Sequence, residues 1–197
     1  MSVVVKICGF RDAEQVYAAV AAGVDAVGFV FTESIRQITP EQAIAISANV
    51  PAHVKRVAVM RHPSDDLWQD VLANFAPDVL QTDAEDFSAL VVPDSVETWP
   101  VFREGGAPVT ATGYYVYEGA KSGHGETVDW SRAAAIAKSG NMILAGGLAA
   151  GNVAEAIETV QPFGVDLSSA VESSPGQKDS QLIREFLSAV RAAEKRS

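Results

Sequence analysis

VVVKICGFRDAEQVYAAVAAGVDAVGFVF, residues 3–31, reads as a strand, a helix and a second strand. Val3–Cys8 is an apolar, β-branched run. Val16, Ala19 and Val20 then recur at helical spacing between about Asp12 and Ala22, and Gly23 stops the helix. Ala26–Phe31 returns to an apolar strand. Two strands joined through a helix of this kind are expected to lie parallel, because antiparallel neighbours need only a short turn.

The same unit recurs outward from this stretch. Thr39 reads as an N-cap with Pro40 at the first position of a helix over Pro40–Asn49. Val54–Met60 is a third strand, Ser64 caps a helix running to about Phe75, and Asp78–Thr82 is a fourth strand. Glu85–Val92 is a short helical piece. Strands near Thr98–Arg103 and Tyr114–Tyr117 follow, then a helix over Asp129–Ser139 and a strand at Met142–Ala145. A helix over Asn152–Val160, a strand at Val165–Leu167 and a long amphipathic helix over Gln181–Lys195 complete the pattern. Strands and helices alternating in this way predict a (β/α)8 barrel over residues 1–197 as one domain, with a doubly wound open sheet as the competing topology. The pattern breaks at REGGAPVTATG, residues 103–113, where Gly105, Gly106, Pro108 and Gly113 cannot sustain a helix. The helix after the fifth strand is therefore expected to be shortened or absent.

Composition narrows the function classes. The 197 residues carry 15 Lys+Arg against 25 Asp+Glu, a net charge of −10, which disfavours nucleic acid and anionic membrane surfaces as partners. A single cysteine, Cys8, excludes an intrachain disulfide and a thiolate zinc cluster. The histidines His53, His62 and His124 lack ligand spacing. No apolar run reaches the ~18 residues of a membrane span, and MSVVVKICG lacks a leader pattern, so a soluble cytoplasmic protein is expected. Nothing in the composition sets an oligomeric state.

In such a barrel the site lies at the carboxyl ends of the strands. Cys8 ends the first strand, and Lys6 shares its parity. If that face is inward, Lys6 requires a carboxylate partner, and its cation would favour the Cys8 thiolate. LAGGLAAGN (144–152) and DLSSAVESSPGQKD (166–179) follow the last two strands. Gly146, Gly147, Ser168 and Ser169 there suit a phosphate dianion held by backbone amides. Arg36, after the second strand, can reach a substrate carboxylate with a two-pronged contact. Asp166 should point at the barrel mouth. SGHGETVDW (122–130) has the composition of a flap, with His124 either an acid–base group or a surface histidine and Thr127 as the next N-cap. Trp68, Trp99 and Trp130 read as packing residues.

These same segments resemble one family. VKICGF (5–10), AGVDAVGFVFTESIRQITPEQA (22–43), DVLQTDAED (78–86), GHGETVDW (123–130) and GVDLSSAVESSPGQKD (164–179) are similar, in order and spacing, to motifs of the phosphoribosylanthranilate isomerases of tryptophan biosynthesis. The resemblance implies an Amadori rearrangement of a small phosphorylated substrate, without metal or organic cofactor. It places Cys8 on the family's base, Arg36 on its anthranilate-carboxylate contact and Asp166 on its pocket carboxylate. Gly146, Gly147, Ser168 and Ser169 fall on its phosphate site.

Three departures accompany it. The family's general-acid aspartate has no counterpart in YYVYEG (114–119), where strict register offers Tyr117 and a one-residue shift offers Glu118. Glu118 is preferred, since a carboxyl is more readily tuned for acid work than a phenol. Asp83 replaces a histidine, and Ala170 stands where glycine is usual, with a methyl that could crowd a phosphate-facing amide. Two other functions are consistent with the residues. A related aminoaldose isomerisation would be expected to use aspartate where Cys8 stands. A non-catalytic phosphosugar-binding barrel would account for the altered sixth strand.

Overall fold

The structure, a computed structural model, describes residues 2–111, 113–120 and 127–195. Eight parallel strands pair in chain order and close on themselves: β1 Val4–Cys8, β2 Ala26–Val30, β3 Lys55–Val59, β4 Val79–Asp83, β5 Glu97–Arg103, β6 Tyr114–Glu118, β7 Asn141–Ala145 and β8 Gly164–Leu167. The β1–β8 pairing decides against the open sheet, in which the first and last strands could not meet. Strand alternation splits the apolar residues into two layers. Ala26, Val57, Val79, Trp99, Val101, Val116, Ile143 and Ala145 fill the barrel interior. Residues of opposite parity, such as Val5, Ile7, Phe29, Leu80, Tyr115, Tyr117 and Val165, face the surrounding helices.

The helices start where short polar side chains satisfy free amides. Asp12 accepts from the amides of Glu14 and Gln15 ahead of α1 (Ala13–Ala22), which ends on Gly23 at φ 91°. Thr39 and Gln42 form a capping box for α2 (Pro40–Ser47), and Ser64 caps α3 (Asp65–Asn74). Asp129, not Thr127, caps α4 (Trp130–Ile136), because its carboxylate reaches the amides of Ser131 and Arg132. α5 is Val153–Val160, and α6, Ser180–Glu194, begins at Asp179. Trp68 is fully buried with Nε1 donating to Val91 O at 2.9 Å, and Trp99 lies in the interior layer.

The ring of helices is incomplete as expected. After β4 only a 3₁₀ turn over Ala84–Ser88 forms, shorter than the helical piece read from Glu85–Val92. Among the described residues no helix joins β5 to β6. Val109 and Ala111 pack on the barrel wall there instead, beside a shallow depression bordered by Tyr117, Arg132 and Ile136. In the loop after β8, unanticipated by periodicity, a short hairpin forms from β9 (Glu172–Ser174) and β10 (Gln177–Lys178).

Phe75 locks α3 to the barrel, with ring centroids 5.3 Å from both Phe29 and Phe31. Phe75→Ala is expected to cost about 3–5 kcal/mol, because three buried rings lose a shared contact. Urea denaturation measures it, and a loss below about 1 kcal/mol would contradict this packing role.

Candidate active site

The carboxyl ends of the strands surround a cavity of about 410 Å³. Its floor is the β1–β8 seam, where Lys6 and Asp166 are direct cross-strand partners. Lys6 Nζ, fully buried, donates to Asp166 Oδ2 at 2.7 Å. Burial disfavours the ammonium, but Asp166 and then Cys8 outweigh it and hold Lys6 protonated above its ordinary value. Asp166 Oδ1 is also buried and makes no hydrogen bond among the described residues.

Cys8 is partly buried and lines the cavity. Gly28 on β2 makes room for it: a Cβ there would lie 3.1 Å from Cys8 Sγ and 3.2 Å from Lys6 Cε. The shared inward face of Lys6 and Cys8 is thus as the parity required. Its electrostatic consequence differs. Burial pushes the Cys8 thiol up, Lys6 pulls it down, and Asp166 cancels part of that pull. The expected thiolate-favouring cation is already matched by its own carboxylate.

Arg36 also lines the cavity, but its fork is partly engaged. Nε and Nη2 donate to Glu172 Oε1 and Oε2 at 2.7 and 2.8 Å. Two of five N–H donors are used, so the edge carrying Nη1 remains for a second carboxylate. Gly9 keeps this arginine in place: at φ 86°, a Cβ on it would come within 2.4 Å of Arg36 Cδ. Buried Lys178 completes the arrangement, donating to Glu172 Oε1 at 2.6 Å and to Ser168 O and Oγ at 3.0 Å. Burial opposes ionisation of Glu172, yet hydrogen bonds from Arg36 and Lys178 prevail and bring its carboxyl down to about 2. Burial pulls the Lys178 ammonium below its ordinary value despite Glu172.

Gly146 and Gly147, at φ 95° and 61°, and Ser168 and Ser169 line the same cavity. Asn152 braces the first loop, accepting from the Ala149 amide and donating to Gly147 O, both at 2.8 Å. Ser168 Oγ donates to Cys8 O at 2.8 Å, tying the second loop to β1. Ser169 and Ala170 open a 3₁₀ turn whose first amides lack intrahelical acceptors. Ala170 is exposed there without positive φ, so its methyl introduces no strain.

Glu118 ends β6 with inward parity and lines the cavity. Tyr117 does not. Its side chain lies between barrel and helices at 2% exposure, because alternation along β6 turns it outward beside Tyr115. The substrate contact expected of Tyr117 is therefore corrected. His124 lies outside the described residues.

Four residues went unnoticed as site residues in the sequence. Glu172 and Lys178 sit in the unanticipated hairpin. Arg103 ends β5, donating through Nη1 to Asp83 Oδ1 and lying with Nη2 at 2.9 Å from Glu118 Oε1. Its signal was inward parity with Trp99 and Val101 at a strand's carboxyl end. Gln81 on β4 lines the cavity with a buried Oε1 that makes no hydrogen bond among the described residues. For a cation, His62, Asp83 and Asp86 bring three ligand atoms within 4.8 Å of one another. Arg103 and, at 3.8 Å, Arg61 also face Asp83, and that positive charge opposes a metal there.

A family model described as N-(5'phosphoribosyl)anthranilate (PRA) isomerase matches residues 5–189. A Listeria welshimeri protein named N-(5'-phosphoribosyl)anthranilate isomerase is 35% identical over 205 residues, spanning 97% of this chain and 100% of its own length. The solved phosphoribosyl anthranilate isomerase from Thermus thermophilus superimposes with a TM-score of 0.82 at 27% identity, covering 96% of this chain and 98% of that one. A phosphoribosyl anthranilate isomerase solved in complex with reduced 1-(o-carboxyphenylamino)-1-deoxyribulose 5-phosphate gives 0.76 at 28% identity, covering 96% and 99%.

Glu172 makes stability pH-dependent in acid. Its folded value of about 2 lies below the ordinary 4.5, so its contribution is complete above 4.5 and is lost as pH falls towards 2. Glu172→Gln should be less stable than wild type at pH 7, with the gap closing across that window. Urea midpoints at a series of pH values measure it; a constant gap would contradict the grip on Arg36 and Lys178.

Proposed function

Because the chain belongs to the N-(5'-phosphoribosyl)anthranilate isomerase family, we propose that Cys8 and Glu118 carry the proton transfers of that family's reaction here. The enzyme is an aldose–ketose isomerase of tryptophan biosynthesis. It converts N-(5-phosphoribosyl)anthranilate into 1-(2-carboxyphenylamino)-1-deoxyribulose 5-phosphate. The observation that carries the assignment of residues is their convergence: Cys8, Arg36, Glu118, Asp166 and both anion-suited loops line one cavity.

Glu118 protonates the furanose ring oxygen as the C1–O bond breaks, leaving a Schiff base between C1 and the anilino nitrogen. Cys8, as thiolate, then removes the C2 proton, giving an enolamine. Tautomerisation places a hydrogen on C1 and a carbonyl at C2, so oxidation at C2 balances reduction at C1 within the substrate. The free edge of Arg36 takes the anthranilate carboxylate. Asp166 Oδ1 accepts from a sugar hydroxyl, which satisfies a buried oxygen. Amides of the Gly146–Gly147 and Ser168–Ser169 loops hold the phosphate.

Glu118 lies 2.9 Å from Arg103, whose positive charge favours the carboxylate form. The substrate brings a carboxylate and a phosphate dianion into the same cavity, and this added negative charge favours protonation of Glu118. Burial holds the Cys8 thiol above its ordinary value, with Lys6 and Lys178 offsetting part of that rise, so the thiolate that takes the proton is the minor form of Cys8. Among the described residues no helix is long and apolar enough to cross a membrane. A phosphorylated substrate does not cross lipid unaided, and we assign enzyme and substrate to the cytoplasm.

Cys8→Ala is expected to lower kcat at least about a hundredfold while the protein stays folded, since a base is lost rather than core packing. Glu118→Gln should fall comparably, and Tyr117→Phe should stay within about threefold of wild type, its hydroxyl lying outside the cavity. Product fluorescence and circular dichroism measure both properties. Complementation of a bacterium lacking this isomerase is the direct test. Well-expressed protein that binds a reduced product analogue but supports no growth without tryptophan would overturn turnover in favour of binding alone.

A further inference from the structure

We infer that Arg103 is the positioning residue of the sixth-strand acid, holding the Glu118 carboxylate at the cavity wall while Asp83 anchors the guanidinium from the other side. The inference rests on the reading of Glu118 as the acid. Three adjacent strands supply the three groups. Arg103 and Glu118 are direct cross-strand partners on β5 and β6, and Asp83 ends β4. Beyond the last paired residues, the Glu104 amide donates to Glu118 O at 2.9 Å, so both strand ends are held together.

The guanidinium is rigid, and its two terminal nitrogens face different carboxylates: Nη1 donates to Asp83, and Nη2 lies in an ion pair 2.9 Å from Glu118 Oε1. It cannot swing from one partner without straining the other. Asp83, with a side chain only 4% exposed, also faces His62 Nε2 at 3.2 Å and Arg61 Nε at 3.8 Å. A glutamate at a strand end has three side-chain torsions to immobilise, and pre-ordering it lowers the entropic cost of proton transfer. This chain carries glutamate and Asp83 where the family resemblance leads one to expect aspartate and histidine. Arg103 links both altered positions.

The charge balance gives the arrangement a signature. Among the described residues the ionisable groups about Glu118 are Arg103 and, through it, Asp83; across the cavity stand Cys8, Asp166 and Lys6, with Glu33, Arg36 and Arg61 also on its wall. Arg103 is shared between two carboxylates. Removing Arg103 must make Glu118 easier to protonate, whereas neutralising Asp83 must make it harder, because Arg103 then serves Glu118 alone.

The test follows the Glu118 carboxyl by NMR in protein labelled with carbon-13 at glutamate Cδ, the resonance being identified by its loss in Glu118→Gln. Arg103→Gln should raise the titration midpoint by about one pH unit or more, Arg103→Lys by less, and Asp83→Asn should lower it. At each variant's own optimum pH, kcat of Arg103→Gln should fall about tenfold, with KM within about twofold of wild type and partial recovery in Arg103→Lys. If Arg103→Gln fails to fold, the opposed shifts in Arg103→Lys and Asp83→Asn decide the matter. Full turnover in Glu118→Gln would remove the acid reading and this inference with it. Crippled turnover in Glu118→Gln beside an unmoved Glu118 titration in the Arg103 and Asp83 variants would overturn the inference alone.

Discussion

A buried ion pair sits where the barrel closes. Lys6 and Asp166 face each other across the β1–β8 seam at 2.7 Å, in the layer just below the cavity. Taking two charges out of water costs more than a well-packed apolar pair would, so the contact is poorly explained as a stability device. Its geometric effect is clearer. A one-residue slip of β1 against β8 would turn Lys6 towards the helices and leave Asp166 without its cation. The pair therefore resists the wrong register at closure. Two residues farther along each strand stand Cys8 and Ser168, joined by a 2.8 Å hydrogen bond. The sulfur and one anion-suited loop inherit their alignment from this seam.

The electrostatics of the mouth follow a related pattern. A chain of net charge −10 must admit a substrate that is itself strongly anionic. Lys6, Arg36, Arg103 and Lys178 gather at the cavity or directly beneath it, yet each has a carboxylate partner: Asp166, Glu172, and the pair Asp83 and Glu118. Paired cations hold direction better than free ones. Arg36 keeps one edge open because Glu172 occupies the other, and Lys178 steadies Glu172 from behind. In the proposed assignment, backbone amides of the last two loops add anion-binding capacity without further charge.

Among the described residues no helix joins β5 to β6, and this has a local consequence. After most strands a helix covers the outward residues; here the wall carrying Phe102 and Tyr117 is covered in part by Val109 and Ala111. β5 and β6 are instead secured at their carboxyl ends by the Arg103 contacts and the Glu104 amide. The same irregular connection leads into β6, whose end residue differs from the family pattern.

Element order was legible in the sequence because it depends on local pattern: strand runs, helical spacing, Asp12, Thr39 and Ser64 as caps, and a glycine-rich break after β5. Parity alone put Lys6 and Cys8 on one face and required a carboxylate for Lys6. It did not identify the partner, which lies 160 residues away. Parity also decides against Tyr117 once β6 extends to Glu118, but the strand's end could not be read from YYVYEG itself. Glu172 lies 136 residues from Arg36, and Arg103 meets Asp83 and Glu118 on separate strands. Local sequence determines which residues form strands and helices, since those choices rest on backbone sterics and apolar periodicity. Barrel closure alone determines which charges meet, because only the completed register sets the distances on which pairing depends.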